Sequence, residues 1–158
     1  MLVSDIINLA AKSMFLDVDD YDNQVMIRYI NDAIDYITDG LTSVNDPEII
    51  NQMTITGTIT KPTNFVGFIP QKASYPLIAT GNTISLANGA PSSVTFKYSS
   101  SKTHVSAITD SIPLTDYYSG IIISYVCIHT QNDFEANVTQ DMELLDRVLQ
   151  ARLKAKGG

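Results

Sequence analysis

Between Ile49 and Thr109 the chain carries no Asp or Glu at all, only four lysines, Lys61, Lys72, Lys97 and Lys102. The flanks are acidic: residues 1–48 hold ten acidic and two basic side chains, and residues 110–158 hold seven and four. The hydrophobic period changes at the same two places, from helical to strand-like and back. A chain patterned this way reads as an α+β protein. A helical body made from residues 1–48 and 110–158 is interrupted by a β lobe spanning 49–109. The body is expected to hold about four helices, an N-terminal αα-hairpin and two C-terminal helices. The lobe is expected to be a small antiparallel sandwich or barrel.

The first half of the body has clear helical signals. Ser4 can cap a first helix with Asp5 near its positive end, and Val3, Ile6, Ile7, Ala10, Ala11 and Met14 share one stripe. A loop, Asp17-Val18-Asp19-Asp20-Tyr21-Asp22, follows. Asp17 and Asp19 begin like a calcium-binding loop, but Tyr21 replaces the third ligand and the central Gly is missing, which favours a solvated loop whose last Asp caps the next helix. That helix is expected over about 22–39, with Met26, Tyr29, Ile30, Ala33 and Ile37 inward, Arg28, Asp32, Asp35 and Asp39 outward, and Gly40 as a left-handed C-terminal stop.

In the lobe, Met53 to Thr60 alternates strictly, with Thr54, Thr56, Thr58 and Thr60 on one face, and reads as one strand. Further strands are expected at 65–69, 75–80, 83–86 and 94–99, with turns at Gly81-Asn82 and Asn88-Gly89. So uncharged a surface is unusual for a solvated lobe, which points to shielding by neighbours.

Past the lobe, Ile112-Pro113-Leu114-Thr115-Asp116 leads into a helix over 117–131 that is apolar nearly all round. Such a helix must be covered on every side, and a short hairpin is expected to fall short, so Tyr118, Ile121, Ile122 and Tyr125 are assigned to a subunit interface. Asn132-Asp133 ends it. A last helix, capped by Thr139 and running to about Lys156, places Met142, Leu145 and Leu149 on one face. Its acids come early and Arg147, Arg152, Lys154 and Lys156 come late, complementing the helix dipole.

Little of this is catalytic chemistry. His104 and His129 have no Cys or acidic cluster at metal-ligand spacing, and His129 reads as a satisfied core or interface residue. Cys127 reads as a buried structural thiol, and one cysteine in 158 residues allows no internal disulfide and fits a reducing cytosol. No phosphate-binding loop or hydrolase motif is present. No catalytic residue, metal or cofactor is therefore expected. No apolar run approaches the roughly 18 residues of a membrane span, and no signal peptide is seen. A net charge of −7 argues against tight binding to nucleic-acid phosphates. The sequon at Asn137 carries no weight in a cytosolic chain.

Three segments carry a family resemblance. Val3 to Lys12, a short loop, and Val25–Ile37 containing Tyr29-Ile-Asn-Asp-Ala-Ile-Asp35 form one. Val94-Thr-Phe-Lys-Tyr98 is the second. Asp110-Ser-Ile-Pro-Leu-Thr-Asp-Tyr-Tyr118, running into Gly120–Tyr125 and Asn132-Asp133, is the third. In this order they resemble the tailed-bacteriophage head–tail connectors, also called adaptor or head-completion proteins. Ile121-Ile-Ile-Ser-Tyr125 departs from the family's Ala-rich third helix. The resemblance implies a non-enzymatic virion protein, made in the host cytoplasm and placed in the neck between capsid and tail. It implies a dodecameric ring below the portal protein, a downstream stopper or tail partner, and duplex DNA passing through without tight binding. Arg147, Arg152, Lys154 and Lys156 would then dock on the portal, and Asp32, Asp35 and Asp39 are candidates to face the channel. Two alternatives remain: a tail-terminator or neck ring, and a binding module whose β lobe recognises a ligand such as a glycan through exposed aromatics, Tyr75 and Phe65 the candidates, with the helices as a stalk.

Overall fold

A computed structural model describes residues 1–69, 76–131 and 138–157. The fold is α+β, and the chain divides into two units, Met1–Val44 with Lys102–Gly158, and Asn45–Ser101.

The helical unit contains α1 (Val3–Ser13), α2 (Asn23–Ser43), α3 (Ser119–Gln131) and α4 (Val138–Gly157). On α1, Val3, Ile6, Ile7, Ala10 and Ala11 are buried as the stripe requires. Its start is not capped by Ser4. The helix begins at Val3, the Asp5 carboxylate accepts the Leu2 N–H at 3.0 Å, and the N–H groups of Val3 and Ser4 donate to the carbonyls of Asp110 and Ile108. A remote strap thus satisfies the donors that a helix start leaves open.

Asp22 caps α2, its Oδ1 accepting from the N–H groups of Gln24 and Val25 at 2.6 and 3.2 Å. Met26, Tyr29, Ile30, Ala33 and Ile37 are buried, while Arg28, Asp32, Asp35 and Asp39 are exposed. The helix does not stop at Gly40; it runs on to Ser43, and the left-handed residue beyond it is Asn45, at φ 52°. Gly40 serves packing instead. A Cβ there would lie 3.2 Å from both Leu149 Cδ2 and Leu153 Cδ1 of α4.

The approach to α3 is a 3-10 turn, Asp116–Tyr118, closed by the Tyr118 N–H on the Thr115 carbonyl; no side-chain cap from Thr115 is made. The helix packs against α1, α2 and α4 of its own chain. Its start is held by Arg152, whose Nη1 donates to the Tyr117 carbonyl. On α4, Leu145, Leu149 and Leu153 are buried and Met142 is half-buried. Thr139 lies inside the first turn rather than capping it. Asn132-Asp133 and Asn137 lie outside the described residues.

The unit boundaries fall earlier than the charge pattern suggests. Residues 102–109 belong with the helices, not with the lobe. The reason is hydrogen bonding: the Asn31 side chain donates to the Val105 carbonyl and accepts the Val105 N–H, both at 2.9 Å, and Val105 is buried. At the other end the lobe begins at Asn45, where Asp46 caps the 3-10 turn Pro47–Ile49 through the Glu48 N–H at 2.8 Å.

Among the described residues the β unit has two three-stranded antiparallel sheets. One is ordered β1-β6-β3 (Ile50–Ile55, Val94–Ser100, Phe65–Phe68), the other β2-β5-β4 (Ile59–Thr60, Thr83–Leu86, Leu77–Thr80). Ile55, Ile84 and Phe96 form their shared core, flanked by Met53, Ile59, Phe65, Phe68, Leu77, Leu86 and Tyr98. The expected single strand from Met53 to Thr60 is two. It bends at Thr56-Gly57-Thr58 and passes from one sheet to the other, a corner that the interior glycine allows. The β4–β5 hairpin turns at Gly81-Asn82, with Gly81 at φ 54° and Thr80 paired with Thr83.

Candidate functional site

Ile121, Ile122 and Val126 of α3, with Tyr118 of the turn before it, belong to an intramolecular core. Tyr118, Ile121 and Ile122 are essentially inaccessible to solvent. They cannot form the subunit interface expected of them, because three helices of the same chain already cover them. Tyr125 alone of that set is half-buried. It stacks on His129 at 4.3 Å and meets Tyr36 at 5.7 Å, while His129 also approaches Tyr29 at 5.7 Å. Burial raises the Tyr125 pKa, and the carboxylates of Asp32 and Asp35 raise it further. Burial first, and then a hydrogen bond from its hydroxyl to Asp146 Oδ1 at 3.1 Å, raises Tyr36 in the same direction.

The three channel candidates, Asp32, Asp35 and Asp39, are all exposed on α2. Asp35 has a partner the sequence did not disclose: both carboxylate oxygens lie 2.9 Å from His104 Nε2. Only the strap of residues 102–109 brings these two together, and no local spacing could have signalled it.

The four basic residues near the C-terminus divide. Arg147 and Lys154 are exposed. Arg152 is tied to α3 through the Tyr117 carbonyl and lies 5.4 Å from the centre of the Tyr117 ring. Lys156 Nζ lies 5.3 Å from the Tyr118 ring. Arg152 is therefore part of the helical packing, not a free docking charge.

No constellation of reactive groups appears among the described residues. Cys127 is half-buried, its Sγ 3.7 Å from the Ala10 carbonyl, and burial raises its pKa, which leaves it a poor thiolate. No cluster of three or more His, Cys, Asp or Glu suited to a metal ion occurs among the described residues. The Asp110 carboxylate is held by the strap's own backbone. The Ser106 and Ala107 N–H groups donate to it at 2.7 and 2.9 Å and lower its pKa. This fixes the strap that receives α1. No helix among the described residues is long and apolar enough to cross a membrane.

Phe65 packs against Phe68 at 5.3 Å and Tyr98 at 5.6 Å within the β core, and Tyr75 lies outside the described residues.

What remains is surface. Phe15 and Val18, at the α1–α2 connection, are 95% and 79% exposed. A groove of about 410 Å³ between α3 and α4 is lined by Ile123, Ile128, Leu144 and Val148 among others. Neither was singled out in the sequence. Phe15 follows the α1 stripe by one residue, and Leu144 and Val148 adjoin the buried face of α4 by one position, so periodicity alone counts them with the core. The chain matches no protein-family model and no curated protein.

Proposed function

We propose that the chain is a structural protein of a tailed-phage neck, forming a homo-oligomeric ring, dodecameric as in the family it resembles, between the portal protein and a downstream stopper or tail protein. The observation that carries this reading is the order of elements: an αα-hairpin, a β unit of two small sheets, and two further helices that rejoin the hairpin. That is the order of the connector family the sequence resembles. The exposed acids Asp32, Asp35 and Asp39 suit a channel wall, since an acidic lining repels duplex phosphates and lets DNA slide. Attachment to the portal falls to the end of α4, through Lys154 and Lys156. In this role the protein performs no catalysis and needs no cofactor.

The test is co-sedimentation with empty heads. Heads that carry a portal should retain the protein, and capsids assembled without a portal should not. Equal retention by both, or by neither, contradicts the reading.

A further inference from the structure

The loop between β5 and β6 turns at Asn88-Gly89. The Ala90 N–H closes it on the Ala87 carbonyl at 3.1 Å, and Gly89 sits at φ 82°. A second bond, from the Ala87 N–H to the Pro76 carbonyl at 2.7 Å, fixes the near end of the turn. Positive φ at the third residue of such a turn calls for glycine, which has no Cβ to clash. The fold thus places beside Asn88 the one residue type that leaves the next main-chain nitrogen open to approach. No described atom lies within 4 Å of where a Cβ on Gly89 would be.

Both residues are exposed. Among the described residues, neither the Asn88 carboxamide nor the Gly89 N–H takes part in a hydrogen bond. Asn88 is also the only asparagine in the chain followed by glycine. The others are held differently. The Asn31 side chain is bonded at both ends to Val105, and Asn51 donates to Ser100 Oγ at 2.7 Å. After Asn23 and Asn64 the next N–H is already committed: that of Gln24 to Asp22 Oδ1, and that of Phe65 to the Pro62 carbonyl.

We infer that Asn88 is a site of spontaneous covalent modification, deamidating through a cyclic imide to aspartate and isoaspartate. The Gly89 nitrogen attacks Asn88 Cγ and loses its proton to solvent base. The Cγ–Nδ2 bond breaks, and Nδ2 leaves as ammonia. Water then reopens the ring. Addition at Cγ gives aspartate, and addition at the main-chain carbonyl gives isoaspartate. One water is consumed and one ammonia released, with no oxidation or reduction. The consequence is electrostatic. Residues 49–109 hold no acid, and the recess of about 630 Å³ that Asn88 lines has uncharged neighbours, Pro76, Ala90, Pro91 and Thr95 among them. Either product puts a carboxylate on that wall.

The test incubates the purified full chain in warm, mildly alkaline buffer and samples it over weeks. N88Q and a urea-unfolded sample of wild type run in parallel. Digestion at mildly acidic pH keeps the work-up from deamidating the peptides. The wild-type peptide containing Asn88 should gain one mass unit and split into aspartate and isoaspartate forms. An added acidic band should appear on isoelectric focusing. N88Q should show neither, because a glutamine side chain would have to close a larger ring. Its melting curve should overlay that of wild type, since the turn's positive φ belongs to Gly89. The inference is overturned if Asn88 in the folded chain keeps its mass, whether or not the unfolded chain reacts. It is equally overturned if another asparagine reacts first, or if N88Q gains the acidic band at the wild-type rate.

Discussion

Arg152, five residues before the end of α4, donates its Nη1–H to the main-chain carbonyl of Tyr117 and lies 5.4 Å from the centre of that residue's ring. The contact fastens the last helix to the 3-10 turn that begins α3. Arg152→Ala should therefore lower stability by about 1 kcal/mol, from a half-exposed hydrogen bond and a cation–π contact. Lys154→Ala, on the exposed side of the same helix, should stay within about 0.5 kcal/mol of wild type. Urea unfolding of the two variants checks the contrast.

Ile122 is fully buried among helices of its own chain. Ile122→Asp should cost about 3–5 kcal/mol, the penalty of an unpaired buried charge, and should unfold the isolated chain. Circular dichroism of dilute protein separates this from an assembly defect. A monomer that stays folded would put Ile122 back at an interface.

Gly40 admits α4 to close approach, with Leu149 and Leu153 next to where its Cβ would be. Gly40→Val should therefore destabilise by about 1–3 kcal/mol despite the better helix propensity, because the added methyl groups overpack the contact. If the glycine were only a helix stop, the same change would barely register in thermal unfolding.

Asp110 has a folded pKa held below the ordinary carboxylate value by the Ser106 and Ala107 N–H groups. A depressed carboxylate stabilises the fold above its unfolded pKa, near about 4, and that contribution disappears as pH falls through the folded value. Asp110→Asn should be less stable than wild type at neutral pH, and the difference should shrink as pH falls below the unfolded carboxylate value and through the lower folded one. Parallel urea titrations at several pH values read this directly.

Much of the fold was written locally. The α1 stripe, the Asp22 cap, the inward face of α2 and the Gly81-Asn82 turn all depend on neighbours within a few residues, and sequence periodicity reports those well. What escaped depends on distance. Gly40 looks like a stop until α4 is laid against it. The alternation from Met53 to Thr60 hides a corner, because Ile55 and Ile59 point into the same core from different sheets. The apolar girth of α3 suggests partners from another subunit on every side, but α1, α2 and α4 bury only Ile121, Ile122 and Val126 and leave Ile123, Tyr125 and Ile128 partly exposed. The strap of residues 102–109 shares the lobe's lack of acids, yet its hydrogen bonds lie with Asn31 and Asp35. The exposed surface was the least legible. Phe15 takes a positive φ that glycine ordinarily fills, and a residue of that kind is recognisable only once its φ and its exposure are known together.

The proposed ring of this chain on the portal of a tailed-phage head can be looked for in the particle itself. Electron microscopy of portal-bearing empty heads incubated with the purified protein tests it most directly. A ring of added density directly below the portal is expected, with the twelvefold repeat the family resemblance implies. Heads whose portal stays bare, or that bind scattered single copies with no rotational repeat, would contradict it.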